Sequence, residues 1–305
     1  MTQAAPSNKL PLAGFLIALL GAVLFSTKAI IVKVAFARVQ VDALTLLAIR
    51  MLFSLPFYAA TAVFAVRSEG NVALTAKQWF TVIFLGLFGY YLSSLFDFLG
   101  LQYISAGLER LILFLYPTFA VLINTFVFKQ KLYRRQLIAL ALTYAGIAFA
   151  FVAELRLDTS NSNFYWGSFL IFLCSITFAV YIAGSGRMIP KIGANRFTAY
   201  ALLSSTAGVL THYAVAGNPG VLQQGVELWG YGLGLAIFAT VIPTFLISNA
   251  MKKIGSNNVA IISSIGPVST IIQAYLVLGE PILAAQIVGT VLVLAGVLML
   301  GWKKS

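Results

Sequence analysis

Charge is scarce in this 305-residue sequence: Asp, Glu, Lys and Arg together make up 9%. A soluble domain carries about 25%, so there is too little polar material here to cover a water-facing surface. That shortage excludes a single water-soluble domain and a disordered chain. The lone Cys174 permits no internal disulfide and no cysteine-based metal cluster, which removes the secreted disulfide scaffolds. His212 is the only histidine, and acids number eight against 20 Lys and Arg. What fills the chain instead is apolar. Hydrophobic residues reach 60%, mean hydropathy is +0.95, and there are 24 Phe and 13 Tyr. Rings in such numbers suit helix packing in an apolar medium and the membrane interface. The composition is that of an integral membrane protein.

A membrane helix needs about 20 mostly apolar residues. The chain offers ten such runs, at roughly 11–34, 43–66, 79–99, 106–128, 135–154, 165–186, 196–216, 228–250, 257–278 and 282–301. Breakers and charges fill nearly every gap, including Gly186–Arg196 and Met251–Ser256; Gly100–Ser105 is the weakest boundary. With both termini in the cytoplasm, most of the 20 Lys and Arg fall on the inner side, among them Lys77, Lys129, Lys131, Arg134, Arg135, Arg187, Lys191, Lys252 and Lys253. The opposite loops hold Arg38 and Arg156 together with Asp42, Glu154, Asp158, Glu227 and Glu280. This is the positive-inside distribution, so the net charge of +12 needs no nucleic acid to explain it. Trp79, Trp166, Trp229 and Trp302 all fall at ends of the expected helices, where an amphipathic ring meets the headgroups.

The two halves repeat each other. At a shift of 150 residues Ile104 falls on Ile254, Ile112 on Ile262, Pro117 on Pro267, Gln136 on Gln286, and Ala145-Gly146 on Ala295-Gly296. Residues 1–154 and 155–305 are therefore read as two five-helix repeats. An odd number of spans makes the second repeat enter the membrane from the other side. The charges follow: Lys129-Gln130-Lys131-Leu132-Tyr133-Arg134-Arg135 is basic, while its counterpart Gly279-Glu280-Pro281-Ile282-Leu283-Ala284-Ala285 has no basic residue. The expected fold is all-α, with ten transmembrane helices in two inverted five-helix repeats. Inverted repeats around a midplane site belong to alternating-access carriers.

These features carry a resemblance. Tyr103-Ile104-Ser105-Ala106-Gly107 runs into Leu115-Tyr116-Pro117, Ile254-Gly255-Ser256 runs into Ile265-Gly266-Pro267, and Leu278-Gly279-Glu280-Pro281 follows. In these segments the chain resembles the drug/metabolite transporter superfamily, in its EamA-type branch, over nearly its whole length. One departure is that the acidic residue after the fourth helix is kept as Glu280 but is Gln130 in the first half. Among subgroups the chain looks most like amino-acid exporters of the YddG type, although no motif fixes the substrate. The resemblance implies a secondary transporter in a bacterial cytoplasmic (inner) membrane, without cofactor or metal. Its partners would be a small-molecule substrate and the lipid bilayer, and its state monomer or weak dimer.

Candidate site residues come from polar groups placed where lipid would reject them. Pro117 and Pro267 remove a donor near mid-helix and clash with the carbonyl four residues back, which makes them candidate hinges. Tyr90, Ser94 and Asp97 share a helix face, and Tyr91, Tyr116 and Tyr181 extend an aromatic wall. Ser263 and Ser264 lie one turn before Pro267. Tyrosines and serines in such places either line a cavity or knit helices together. Lys28, ~26 Å along the first helix, and Arg50 are deep cations. Charge there costs about 2.5–3.5 kcal/mol on insertion scales, so each faces either a substrate carboxylate or an internal partner. Lys33 is expected to snorkel. Asp97 and Glu109 flank the third hairpin and are expected near the outer surface, which would leave no deep carboxylate to carry protons. The expected activity is therefore export of neutral or aromatic amino acids by facilitated movement or exchange. Alternatives are a drug or nucleotide-sugar-like metabolite, or proton coupling. An enzyme is disfavoured, since no paired His and carboxylate motif is present.

Overall fold

Backbone buried in hydrocarbon must satisfy its own N–H and C=O groups, and a helix does this within one segment. The computed structural model describes residues 12–68, 73–127, 129, 134–157, 162–220, 225–263 and 265–301, and among the described residues helices and turns account for the fold, without strands. The helices are α1 (Leu12–Arg38), α2 (Ala43–Ser68), α3 (Ala76–Phe84), α4 (Leu92–Gly100), α5 (Ala106–Leu113), α6 (Tyr116–Phe126), α7 (Arg134–Leu157), α8 (Phe164–Ile192), α9 (Ala194–Ala216), α10 (Val226–Ala236), α11 (Ile242–Ser263), α12 (Gly266–Gln273) and α13 (Ala284–Gly301). Among the described residues five segments are long and apolar enough to cross a membrane: Leu12–Arg38, Ala43–Phe64, Ala76–Gly100, Phe164–Ile192 and Val226–Ile247. Shorter apolar pieces are Ala141–Ala153, Gly266–Leu278 and Ala284–Gly296.

Side chains are sorted in the manner of a membrane protein. On α1 the buried stripe is made of small residues, Gly14, Ala18, Gly21, Ala22 and Ala29, while Leu12, Leu16 and Leu20 are exposed. Small residues let backbones approach, and large apolar ones meet the lipid. Gly146 of α7 and Gly289 of α13 make a close crossing: a Cβ on either would stand 2.5 Å from the other's carbonyl oxygen. The main helix pairings are α7 with α13, α1 with α11, α2 with α9, and α4 and α6 with α8. Each joins a helix before residue 155 to one after it, and all four hydrophobic clusters draw on both sides.

The path departs from the sequence reading in three places. The stretch expected as a break at Gly186–Arg196 is helical to Ile192, and Gly193 alone (φ 87°) turns the chain into α9; only glycine adopts such a φ without strain. Met251–Ser256, also expected as a break, lies inside α11. The chain still doubles back there. Gly21 of α1 packs on Ile247, Gly14 on Ile254, and Ser26 against Gly266, so residues on both sides of Ile254 run along one stretch of α1. Finally, the run expected at 106–128 is two short helices, parted at Phe114–Leu115.

That parting comes from proline. A proline in mid-helix would clash with the preceding turn, whereas in a first turn its missing donor is not needed. Both Pro117, described by its backbone alone, and Pro267 take that first-turn place. The turn before each is built alike: Leu115 N–H donates to Ile112 at 3.0 Å, and Ile265 N–H to Ile262 at 3.2 Å. Among the described residues π-helical turns at Leu85–Tyr91 and Ile237–Val241 interrupt long helices, and one at Ala274–Leu278 ends the helix begun by α12; such turns gather at functional sites.

Replacing Gly289 by leucine, whose Cβ meets backbone that cannot yield, is expected to destabilise the α7–α13 crossing by about 1–3 kcal/mol. Thermal unfolding in detergent reads this as a lowered midpoint. Gly230, beside which a Cβ meets nothing within 4 Å, serves as the tolerant control.

Candidate functional site

Lys28 of α1 meets two acids. Its Nζ lies 2.6 Å from Asp97 Oδ2 of α4 and 3.6 Å from Glu109 Oε1 of α5. All three are buried, Asp97 at 1% and Glu109 at 0% exposure. The chain brings them together because α1 is lined by small residues at this level and the hairpin between α4 and α5 is itself buried. Leu101, Ile104 and Ala106 are at most 3% exposed. Ser105 caps α5 by accepting from Leu108 N–H at 3.0 Å, the pattern expected of an N-cap serine.

Arg110, next to Glu109 on α5, turns away from the acids, since adjacent residues on a helix do not face each other. Its Nη2 donates to Ser26 Oγ at 3.2 Å, and Ser26 Oγ reaches the carbonyls of Ala22 (2.9 Å) and Gly266 (3.3 Å). The guanidinium lies 5.9 Å from the Phe25 ring and 6.0 Å from Phe114, and its Nε has no hydrogen-bond partner. Arg110 therefore sits where α1, α5 and the start of α12 meet. Arg50 of α2 donates from Nε to Thr240 Oγ1 at 3.0 Å and lies over Phe98 at 5.3 Å. Thr240 stands in the π turn Ile237–Val241.

From Arg110 a train of rings crosses to the opposite wall. Phe114 meets Tyr116 (5.9 Å between centroids), Tyr116 meets Phe178 (5.0 Å), Phe178 meets Tyr181 (6.0 Å), and Tyr181 meets Tyr90 edge-on (5.7 Å). Tyr90 occupies the π turn Leu85–Tyr91, where Gly89 lets the backbone of Tyr181 come close. Buried Tyr58, whose hydroxyl has no hydrogen-bond partner, stands near Tyr90, Tyr181 and Arg50. Charges and rings thus form one buried polar belt contributed by α1, α2, α4, α5, α6, α8 and two π turns. Buried cations, hydroxyls and π faces together suit a small ligand with an ionic head and an apolar body.

The EamA-like transporter family model matches residues 12–152 and again 165–302. The chain belongs to the EamA-like transporter family. Similar proteins include the uncharacterized transporter YcbK of Bacillus subtilis, 29% identical over 91% of this chain and 89% of that protein. Another is the uncharacterized transporter YyaM of Bacillus subtilis, 25% identical over 75% of this chain and 74% of its own. An uncharacterized transporter of Archaeoglobus fulgidus is 22% identical over 93% and 94%. A solved crystal structure shares the fold with a TM-score of 0.65 at 17% identity, covering 94% of each chain.

Within this EamA-like transporter the residues picked from sequence divide into groups. Lys28, Tyr90, Tyr116 and Tyr181 enter the belt, and Ser94 is buried on the same face as Tyr90 and Asp97. Tyr91 faces elsewhere. Its hydroxyl meets His212 Nδ1 at 2.8 Å, in a groove of about 690 Å³ lined also by Ile83, Leu87 and Gly208. Ser263 is half-buried at the end of α11, and Ser264 lies outside the described residues. Pro267 is buried at the start of α12, one residue from the Gly266 carbonyl that Ser26 reaches.

Asp97 and Glu109, expected near the outer surface, are buried inside the protein against Lys28, because the α4–α5 hairpin is packed within it and carries them along. Lys33, expected to snorkel, donates from Nζ to the Ile104 carbonyl at 2.9 Å, in that same hairpin. Sequence reasoning also passed over Arg110, Ser26 and Tyr58. A second charge beside Glu109 in a short, otherwise apolar helix was the available signal for Arg110.

Breaking a buried ion pair by removing one partner costs about 3–5 kcal/mol. Lys28→Met, which strands two acids, is expected in that range by thermal unfolding, and Asp97→Asn, which leaves Lys28 to Glu109, well below it. Equal losses would show that Glu109 does not share the ammonium.

Proposed function

We propose that this protein is a secondary transporter that exports small metabolites, namely neutral or aromatic amino acids, across the cytoplasmic membrane by alternating access. The observation that carries the reading is the junction of the buried Arg110 with the aromatic train from Phe114 to Tyr90. A guanidinium whose Nε lacks a partner suits a carboxylate, and the rings suit a side chain. Lys28, assigned to the substrate carboxylate on sequence grounds, is held by Asp97, so Arg110 takes that part. Tyr90, Tyr116 and Tyr181 line the apolar side.

The fold supports alternating access as ten helices in two inverted repeats: the same broken turn precedes Pro117 and Pro267, at positions 150 residues apart. The Phe114–Leu115 break and the turn at Ile265 ahead of α12 give each half a joint beside the belt, and bending there opens the site to one side and then the other. No catalytic step is needed. A drug-like or nucleotide-sugar-like substrate is the second reading, since the family fold leaves the ligand open.

Purified protein in liposomes is expected to exchange labelled phenylalanine or tyrosine above empty vesicles. Tyr181→Leu should weaken half-saturation two- to tenfold, the equivalent of losing about 0.5–1.5 kcal/mol of ring contact. Arg110→Gln should abolish exchange while Glu227→Gln, at an exposed helix start, leaves it unchanged. Absence of amino-acid exchange in the unaltered protein overturns the substrate.

A further inference from the structure

One ammonium cannot neutralise two carboxylates. Lys28 Nζ lies 2.6 Å from Asp97 and 3.6 Å from Glu109, so Asp97 holds the ion pair and Glu109 stands just outside hydrogen-bond reach. Both Glu109 oxygens are buried, in a residue at 0% exposure, with no N–H or hydroxyl donor on them, and the carboxyl faces that of Asp97, with which it can share a hydrogen bond only if one of the two is protonated. Desolvating an uncompensated carboxylate costs several kcal/mol, and a group in that position takes up a proton instead.

Among the described residues no second cation forms an ion pair with Glu109. The charged and titratable groups around α5 are Lys28 and Lys33 of α1, Asp97 of α4, Arg110 of α5 itself, Tyr116 of α6, Cys174 of α8, and Glu280 ahead of α13. Arg110 is turned to Ser26 and the rings of Phe25 and Phe114. Lys33 is spent on the Ile104 carbonyl, and Glu280 accepts from Ala106 N–H at 3.1 Å. Arg50 of α2, near Asp97, is bound to Thr240. Among the described residues the ion pairs of this cluster are the two made by Lys28.

We propose that Glu109 is a proton-binding site of this transporter, protonated while Lys28 is held by Asp97 and ionised when the ammonium passes to it. Protonation forms one O–H bond on the Glu109 carboxyl with a proton taken from water. Release breaks that bond, returns the proton to water, and leaves a carboxylate that takes over the ammonium from Asp97, which then has the nearby Arg50 guanidinium as its counter-charge. The shift required is small, since the two Nζ–O distances differ by 1.0 Å (3.6 against 2.6). It is mechanically available as well: α5 spans only Ala106–Leu113 and ends at the Phe114–Leu115 break, so it can move against α1 and α4. Coupling of this proton to transport rests on the carrier reading above. It replaces the expectation of movement without protons, whose premise was the absence of a buried carboxylate.

Infrared difference spectroscopy of the purified full-length protein in lipid, acid minus alkaline, tests the site without a substrate. The expected result is a carbonyl band of a protonated carboxyl that shifts in D2O. It should vanish in Glu109→Gln and persist in Glu227→Gln. Asp97→Asn, which leaves Glu109 alone beside the ammonium, should remove the band at neutral pH, and it stands in should Glu109→Gln fail to fold. A band that survives Glu109→Gln, or no band in the unaltered protein, overturns the proposal. In liposomes the unaltered protein should accumulate labelled phenylalanine against its gradient when a pH difference is imposed. Exchange without any response to that difference overturns the coupling and leaves the carrier intact. A Glu109 band without phenylalanine exchange overturns the substrate and leaves the proton site intact.

Discussion

The contact between Lys28 and Asp97 organises the interior. An ammonium and a carboxylate 2.6 Å apart at near-zero exposure persist only if each stays within reach of the other, and that requirement fixes three helices at once. It holds the α4 end against α1, keeps the α4–α5 hairpin inside the protein, and brings Glu109 and Arg110 into the same buried layer. The hairpin is tied from two more directions, by Lys33 on the Ile104 carbonyl and by Glu280 on the Ala106 N–H. Little of this lowers the free energy beyond what apolar packing would achieve. What it supplies is a definite register between elements that lipid-like side chains would allow to slide.

Around that layer the fold uses interruptions rather than continuous helices. Each π turn, and the Phe114–Leu115 break, lies near a polar residue with an assignment: Tyr90 in the first π turn, Thr240 in the second, Glu280 just after the third, and Arg110 one turn before the break. Irregular backbone at membrane depth survives only where protein surrounds it, so these interruptions and the buried polar belt require each other. The lateral groove beside Tyr91 and His212 is of another kind, mostly apolar and open along α9.

Much of this architecture was legible in the sequence. Apolar runs marked nearly all helices, Ser105 announced the start of α5, and Pro117 and Pro267 marked breaks at equivalent places. The two tyrosines at 90 and 91 could be told apart only in space, because a π turn sends one to the belt and the other to His212. The acids were misplaced for a reason of the same order. Counting residues from a helix end gives depth along that helix, but it does not say whether the end itself is covered. Ile104 and Ala106 are buried, so a hairpin that reads as a surface loop is an interior one. Likewise Gly193 could be seen as a glycine but not as the whole of the connection between α8 and α9.

Glu280 belongs to the loop after the last π turn, yet its carboxylate serves the first N–H of α5, on the other side of the sequence midpoint. A helix start left bare exposes donors that must be met by something. Separating the two segments therefore hands that duty to water. Parting these segments would be a hydration event as much as a mechanical one, since the water that replaces Glu280 would also become the cap of α5.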